Sequence, residues 1–350
     1  FDHESNGLDF YESLEGMLVQ VNDAVVVGAT SVFKEIVVIG DRGDHASVRT
    51  HRGGIVVREN DFNPERISID DALVTIPFVQ TGDIAIQPII GVMDYSFGNY
   101  KIQATKEVLF RSGGLMPDPP LQPVQPGQLR VISYNVENLS AQDRQRIAVL
   151  ADQVVNQMAS PDIIGLQEIL DDDGSTGVDT TSAEGTYQQI IDAIKISGGP
   201  PYAFANIDPL ADQDGGVPGG NIRGGFLYRL DTGLALIDAP QGDATSAVKI
   251  LEKNGEWMLS LNPGRINPSH PAFTNSRKPL VIAFRYAGKP LFVINNHFNA
   301  KSSDRPLFGD MQPPLLASET QRLQQAQIVH DFAAKLLEAD AESRVIVLGD

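Results

Sequence analysis

Four short apolar runs in this chain each end on a single polar residue. Val131-Ile132-Ser133-Tyr134 leads to Asn135, and Ile163-Ile164-Gly165-Leu166-Gln167 leads to Glu168. Leu291-Phe292-Val293-Ile294-Asn295-Asn296 leads to His297, and Val345-Ile346-Val347-Leu348-Gly349 leads to Asp350. Short continuous apolar runs predict buried strands. A carboxylate or imidazole inside such a core is costly without a partner. The four polar ends therefore belong at a sheet rim, where they can meet solvent, one another or a cation. Two packed sheets with four such ends on one rim would form a hydrolytic metal site.

The rest of the pattern divides at Asp118-Pro119-Pro120-Leu121-Gln122-Pro123-Val124-Gln125-Pro126-Gly127-Gln128. This stretch carries four prolines and predicts an extended linker over 118–128. Before it, at 1–117, segments at 14–27, 33–39, 54–57, 83–92 and 100–104 read as strands between Gly, Asp and Asn turns. Five or six short strands predict a small all-β barrel of the oligonucleotide-binding (OB) type, or an equally small barrel with no binding role. Tyr95, Phe97 and Tyr100 could stack bases, although such residues serve more often as core or turn packing. After the linker, at 129–350, strands alternate with helices. Ser140 with Asp143, and Ser318 with Gln321, read as capping boxes that open helices to about residues 158 and 338, and a further helix is expected over 186–196.

Composition bounds the function. Of 350 residues, 42% are hydrophobic and 21% charged, which is ordinary for a globular chain. No apolar stretch has the length of a membrane span. The absence of cysteine removes disulfides, thiolate metal sites and cysteine nucleophiles. The formal net charge of −18 opposes non-specific binding to nucleic acid, although a local basic groove or a divalent metal can override the global field.

Each rim residue has two readings. Glu168 is a hard oxygen ligand for Mg2+, Mn2+ or Ca2+, or a strand-end carboxylate paired with Lys or Arg. Asn135 orients a ligand or a phosphate, or closes a turn. His297 donates to a phosphoryl oxygen, or is structural. Asp350 positions a water or a metal after a glycine that permits close backbone approach. The acidic run Asp171-Asp172-Asp173-Gly174 reads as a solvated loop or a surface calcium site, without EF-hand spacing.

Together, Ser133-Tyr134-Asn135-Val136, Asp162-Ile163-Ile164-Gly165-Leu166-Gln167-Glu168, Asn296-His297-Phe298 and Leu348-Gly349-Asp350 resemble the endonuclease/exonuclease/phosphatase superfamily. Gly225-Phe226-Leu227-Tyr228-Arg229 and Ser276-Arg277-Lys278-Pro279 resemble its deoxyribonuclease branch. More loosely, Tyr11-Glu12-Ser13-Leu14-Glu15-Gly16-Met17-Leu18-Val19 ahead of a β-domain is similar to bacterial extracellular nucleases with an N-terminal OB-like domain. The resemblance implies an α+β chain: a deoxyribonuclease-I-like four-layered α/β-sandwich preceded by a small OB-like domain. It implies Glu168 as the principal metal ligand, with Asn135 helping to hold the metal and phosphate. Arg277 would contact a substrate phosphate, His297 would bond the scissile phosphate, and Asp350 would orient the attacking water.

Departures from the family pattern matter. The family pairs its first histidine with a glutamate just before the core strand, and Ile222 occupies that position here. Its later Asn and terminal Asp-His pair have no counterpart up to Asp350, so the sequence is expected to be part of a longer protein. The expected function is a secreted or periplasmic divalent-metal-dependent nuclease acting on DNA or RNA, with no protein partner evident. A phosphatase or phospholipid phosphodiesterase on the same fold, or a catalytically silent binding module, are the alternatives.

Overall fold

The computed structural model describes residues 7–177, 180–253, 255–309 and 311–350. The chain forms two compact units. Unit 1 comprises Phe1–Asp118 with Lys301–Ala317, and unit 2 comprises Pro119–Ala300 with Ser318–Asp350. The sequence reading did not anticipate that 301–317 would pack with the first unit.

Unit 1 contains helix α1 (Gly7–Ser13) and strands β1 (Leu18–Val21), β2 (Val25–Gly28), β3 (Ile36–Ile39), β4 (Ile67–Asp70), β5 (Ile84–Ala85), β6 (Ile89–Ser96), β7 (Asn99–Ala104) and β8 (Phe110–Arg111). They form one eight-stranded sheet in the order β1-β6-β7-β4-β3-β2-β5-β8, with β4 and β7 parallel. The run expected as one strand over 14–27 is divided because Asp23 turns with a φ of 45°. The segment 54–57 contributes only the single bridge from Ile55 to Arg49, and Ile67–Asp70 takes the ladder position beside β3. Tyr11 of α1 lies 5.7 Å, ring centre to ring centre, from Tyr100 and 6.0 Å from Phe308. The first helix and the 301–317 segment thus close the same core.

Unit 2 contains β9 (Val131–Leu139), α2 (Arg144–Asp152), β10 (Ile163–Ile169), α3 (Glu184–Ile196), β11 (Tyr202–Asn206), β12 (Arg223–Arg229), β13 (Ala235–Leu236), β14 (Ile250–Lys253), β15 (Glu256–Leu259), β16 (Gly264–Arg265), β17 (Leu280–Tyr286), β18 (Lys289–Asn296), α4 (Glu319–Ala339) and β19 (Arg344–Gly349). One sheet runs β11-β12-β10-β9. The other runs β13-β17-β18-β19, with β16 against β17, and β14 and β15 form a separate hairpin. Ile163, Phe226, Ile282, Phe284 and Val293 fill the space between the two sheets. Ile147, Leu150, Tyr187 and Ile190 pack α2 and α3 on the outside of the first sheet. Val329, Phe332 and Leu336 pack α4 on the outside of the second. Unit 2 is thus a four-layered α/β/β/α sandwich. Each fully buried Phe or Ile contributes about 1.5–3 kcal/mol, so the three apolar layers together carry most of its stability.

The four apolar runs are not equally buried. Those in β10 and β18 are interior, whereas Ser133 and Val347 are exposed, because β9 and β19 stand at the ends of their sheets among the described residues. Two helix starts also differ from expectation. α2 begins at Arg144, and the Asp143 carboxylate accepts from the Ser140 N–H at 2.9 Å, so only the backward half of the capping box forms. In α4 the Gln321 amide donates to the carbonyls of Ala272 and Thr274, away from Ser318.

Candidate active site

β9 and β10 run parallel, with Gln167 opposite Asn135, and their register then shifts so that Ile169 faces Leu139. Within this double bulge Glu137, Asn138 and Glu168 have φ of 54°, 53° and 63°. Left-handed backbone at a non-glycine residue costs on the order of 1–3 kcal/mol and persists only where surrounding contacts enforce it. Here the bulge turns the Glu168 side chain out of the core and over the rim. Its Oε2 accepts the Asn138 N–H at 3.1 Å. Its Oε1 accepts the Asn135 amide at 2.8 Å.

The second sheet supplies the other side of the cluster. In β19, Gly349 faces Asn296 of β18 with a φ of 141°, and a Cβ there would lie 2.1 Å from the Asn296 carbonyl oxygen. Only glycine allows β19 this close, and the chain then delivers Asp350, whose N–H donates to Asn296 O at 3.1 Å. The Asn135 amide donates to Asp350 Oδ2 at 2.6 Å and so bridges the two sheets' carboxylates.

The sheets themselves are locked below the rim. Asn295, 2% exposed, donates to the carbonyls of Leu166 and Gly225 and accepts from Gln167 Nε2 at 2.6 Å. Gly165 lies beneath Leu348, where an added Cβ would sit 2.3 Å from Leu348 Cδ1. A satisfied buried amide network of this kind fixes the register between layers.

His297 leaves β18 beside this lock. Its Nε2 lies 3.7 Å from Glu168 Oε1. Its Nδ1 is buried and makes no hydrogen bond among the described residues, and Ile222, at the position expected to lack the family's glutamate, is a core residue. Burial, and then the Arg277 guanidinium, lower the imidazole pKa to about 4 against the opposing pull of Glu168 and Asp350, so the ring is neutral at pH 7. Arg277 is 6% exposed, and its Nη2 donates to Phe298 O at 2.6 Å, bracing the segment just after His297. Burial lowers its own pKa, while Glu168, Asp214 and Asp350 act in the opposite direction.

The structure thus brings Asn135, Glu168, His297 and Asp350 together, with Arg277 behind them. One ligand atom from each of Glu168, His297 and Asp350 lies within 4.8 Å of the others. Two carboxylates and a neutral imidazole on a partly open rim suit a hard divalent ion, and the Asn135 amide already holds both carboxylates toward one point. Of the cations near Arg277, Lys278 pairs with buried Asp214 at 2.7 Å and Arg322 donates to Ser318. Sequence reasoning missed the Asn138 N–H and the Asn295 lock. A second asparagine three residues after Asn135 in the same strand, and an amide inside an apolar run, were the available signals.

Comparison with known proteins gives a family match for residues 1–112, described as Domain of unknown function (DUF8508). No curated protein matches. Similar solved structures include D. rerio TDP2 complexed with single strand DNA product, at 18% identity and a TM-score of 0.34, covering 63% of this chain and 60% of that one. TDP2 from C. elegans matches at 14% identity and a TM-score of 0.36, covering 63% and 47%. An endonuclease/exonuclease/phosphatase family protein from Bacteroides thetaiotaomicron matches at 17% identity and a TM-score of 0.35, covering 65% and 64%. The chain spans less than two thirds of the length of each. Among the described residues, no helix is long and apolar enough to cross a membrane.

Proposed function

We propose that unit 2 carries a divalent-metal-dependent phosphodiesterase that hydrolyses DNA or RNA, in a protein that works outside the cytoplasm, with unit 1 as an OB-like accessory domain. The observation that carries this reading is the convergence of Glu168, His297 and Asp350 within 4.8 Å, with Asn135 bonded to both carboxylates. Glu168 would be the principal ligand of Mg2+ or Mn2+, leaving the Asp350 carboxylate for the water and the His297 Nε2–H for the substrate; Ca2+ also suits oxygen ligands. Such an ion, when bound, supplies charge stabilisation to the phosphoryl and leaving oxygens.

The chain's own groups account for the rest. Asp350, the more exposed carboxylate, accepts a proton from a water and aims it at phosphorus in line. His297, neutral and desolvated, donates one N–H to a phosphoryl oxygen as charge grows there. Asn135 keeps the two carboxylates at a fixed separation, and Arg277 adds positive field from behind His297 and contacts a substrate phosphate. No covalent intermediate on the protein is needed.

Incubating the protein with plasmid DNA, single-stranded RNA and a phosphoinositide, with Mg2+ or Mn2+ and then with chelator, tests the reading. Chelator-sensitive cleavage of a polynucleotide supports it. Hydrolysis of the lipid headgroup with intact nucleic acid refutes it.

A further inference from the structure

Asp214, in the segment between β11 and β12, is 3% exposed and holds two cations. Its Oδ2 accepts from Arg265 Nη2 at 3.0 Å, and its Oδ1 accepts from Lys278 Nζ at 2.7 Å. The buried Arg265 guanidinium is otherwise committed to the carbonyls of Ala244 and Ile207. Lys278 Nζ also donates to Gln213 O at 2.8 Å. An ammonium has three N–H groups, and the third meets no acceptor among the described residues.

These three side chains line a cavity of about 230 Å³ within unit 2, together with His270, Thr274 and Asn275. The Ala272 N–H donates to His270 Nδ1 at 3.1 Å, so the neutral ring carries its proton on Nε2 and offers a further donor. Asp214 is the only acid lining the cavity among the described residues, and two cations share it, so the lining keeps one positive charge. A shielded cation with an unused N–H is costly unless an anion meets it. The space is below the ~300–1,000 Å³ of pockets that enclose whole drug-sized ligands, so it suits a compact anion and excludes a nucleoside. A lysine ammonium serves a phosphate as a point charge. Asn275 and Lys278 both line the cavity, while Arg277 between them turns to Phe298 O, beside His297. Consecutive Cα atoms are ~3.8 Å apart, so one short segment serves both this cavity and the Glu168 rim.

We propose that the cavity is a second phosphate site, with Lys278 and His270 as its donors, and that it takes a backbone phosphate flanking the one at the Glu168 rim. In naming that flanking phosphate it rests on the phosphodiesterase reading; in naming a phosphate group it does not. The full chain carrying Glu168→Gln is titrated with inorganic phosphate alone, by calorimetry, and with a single-stranded deoxyoligonucleotide, by fluorescence anisotropy. Lys278→Met, which leaves Asp214 paired with Arg265, should weaken both by at least ~10-fold, the scale of losing a charged donor. It should also make the oligonucleotide's slope of log affinity against log salt shallower by about 0.7, the value for one phosphate contact. His270→Asn keeps an acceptor for the Ala272 N–H and removes the Nε2–H, and should weaken both by at least ~2-fold; it carries the test if Lys278→Met fails to fold. Phosphate binding that depends on Lys278 or His270, in a protein that binds no oligonucleotide, would keep the site and remove the nuclease reading. Oligonucleotide and phosphate binding indifferent to both substitutions would overturn the site and leave the nuclease reading standing.

Discussion

The Asn138 N–H donates to Glu168 Oε2 at 3.1 Å, and both residues hold left-handed backbone, at φ of 53° and 63°. The hydrogen bond joins two bulges in neighbouring strands, so each strained residue is held by the other strand. Glu168→Gln keeps one acceptor, enough for either the Asn138 N–H or the Asn135 amide, and removes the charge a hard cation needs. Metal-dependent hydrolysis should fall by at least about 100-fold, the scale of losing a main electrostatic contributor, while the Tm shifts by less than ~2 °C. Near-normal turnover at saturating Mg2+ or Mn2+ would remove Glu168 from the metal site.

Two glycines at the sheet contacts should differ in cost. Gly165→Ala would press on the end of the Leu348 side chain, which can rotate, whereas Gly349→Ala would press on the Asn296 carbonyl at 2.1 Å. Overpacking costs typically about 1–3 kcal/mol, and a backbone neighbour cannot yield as a side chain can. Gly349→Ala should therefore lower chemical-denaturation stability more than Gly165→Ala, and it alone should also displace Asp350 and suppress hydrolysis. Equal stability losses, with activity retained in Gly349→Ala, would contradict the close approach of β19.

Much of this was readable from residue order. β10 and β18 are uninterrupted apolar runs, and interior strands allow little else. The rim residues followed because each ends such a run. What was not readable depends on long-range fit. Ile67–Asp70 alternates apolar and polar side chains too briefly to outrank 54–57, and only its pairing with β3 and β7 makes it a strand. Gln321 was read as a cap because the sequence shows its spacing from Ser318, while the competing carbonyls of Ala272 and Thr274 lie 47 or more residues away. Asp171 looks like its solvated neighbours, and only folding buries it.

The His297 pKa of about 4 gives a direct pH test. A histidine whose folded pKa lies below its unfolded value near 6.5 binds its proton more tightly when unfolded. Its neutral, folded form is favoured above pH 6.5, and that contribution is lost as pH falls from about 6.5 through about 4. In metal-free protein, the His297 ring resonances followed by NMR should stay constant from pH 8 to pH 5 and move only near 4. An inflection close to 6.5 would show that the ring is more solvated, or less affected by Arg277, than its burial implies.

Breaking the inter-sheet lock should uncouple stability from chemistry least of all. Asn295→Ala strands Gln167 Nε2 with only Gly165 O and leaves the Leu166 and Gly225 carbonyls without their donor. Leaving a buried polar group unsatisfied costs about 1–3 kcal/mol, so a loss of several kcal/mol across the network is expected in urea unfolding. Activity should fall too, because Glu168 and His297 stand on opposite sides of that lock. A variant with unchanged stability would mean that the sheets keep their register without it.

Arg277 has two roles that one experiment separates. Its Nη2 braces Phe298 O and its Nε is buried with no hydrogen bond among the described residues, so only the remaining guanidinium nitrogen is left to meet a substrate phosphate. If that nitrogen meets a substrate phosphate, Arg277→Ala should weaken oligonucleotide binding to the inactive Glu168→Gln protein. The slope of log affinity against log salt should then become shallower by about 0.7, the value for one phosphate contact on a single strand. If the guanidinium only braces the segment after His297, the slope should be unchanged, while kcat in the Glu168-containing protein falls because the imidazole is no longer held in place. An unchanged slope therefore removes Arg277 from the substrate contacts without touching the metal-site reading, which rests on Glu168, His297 and Asp350.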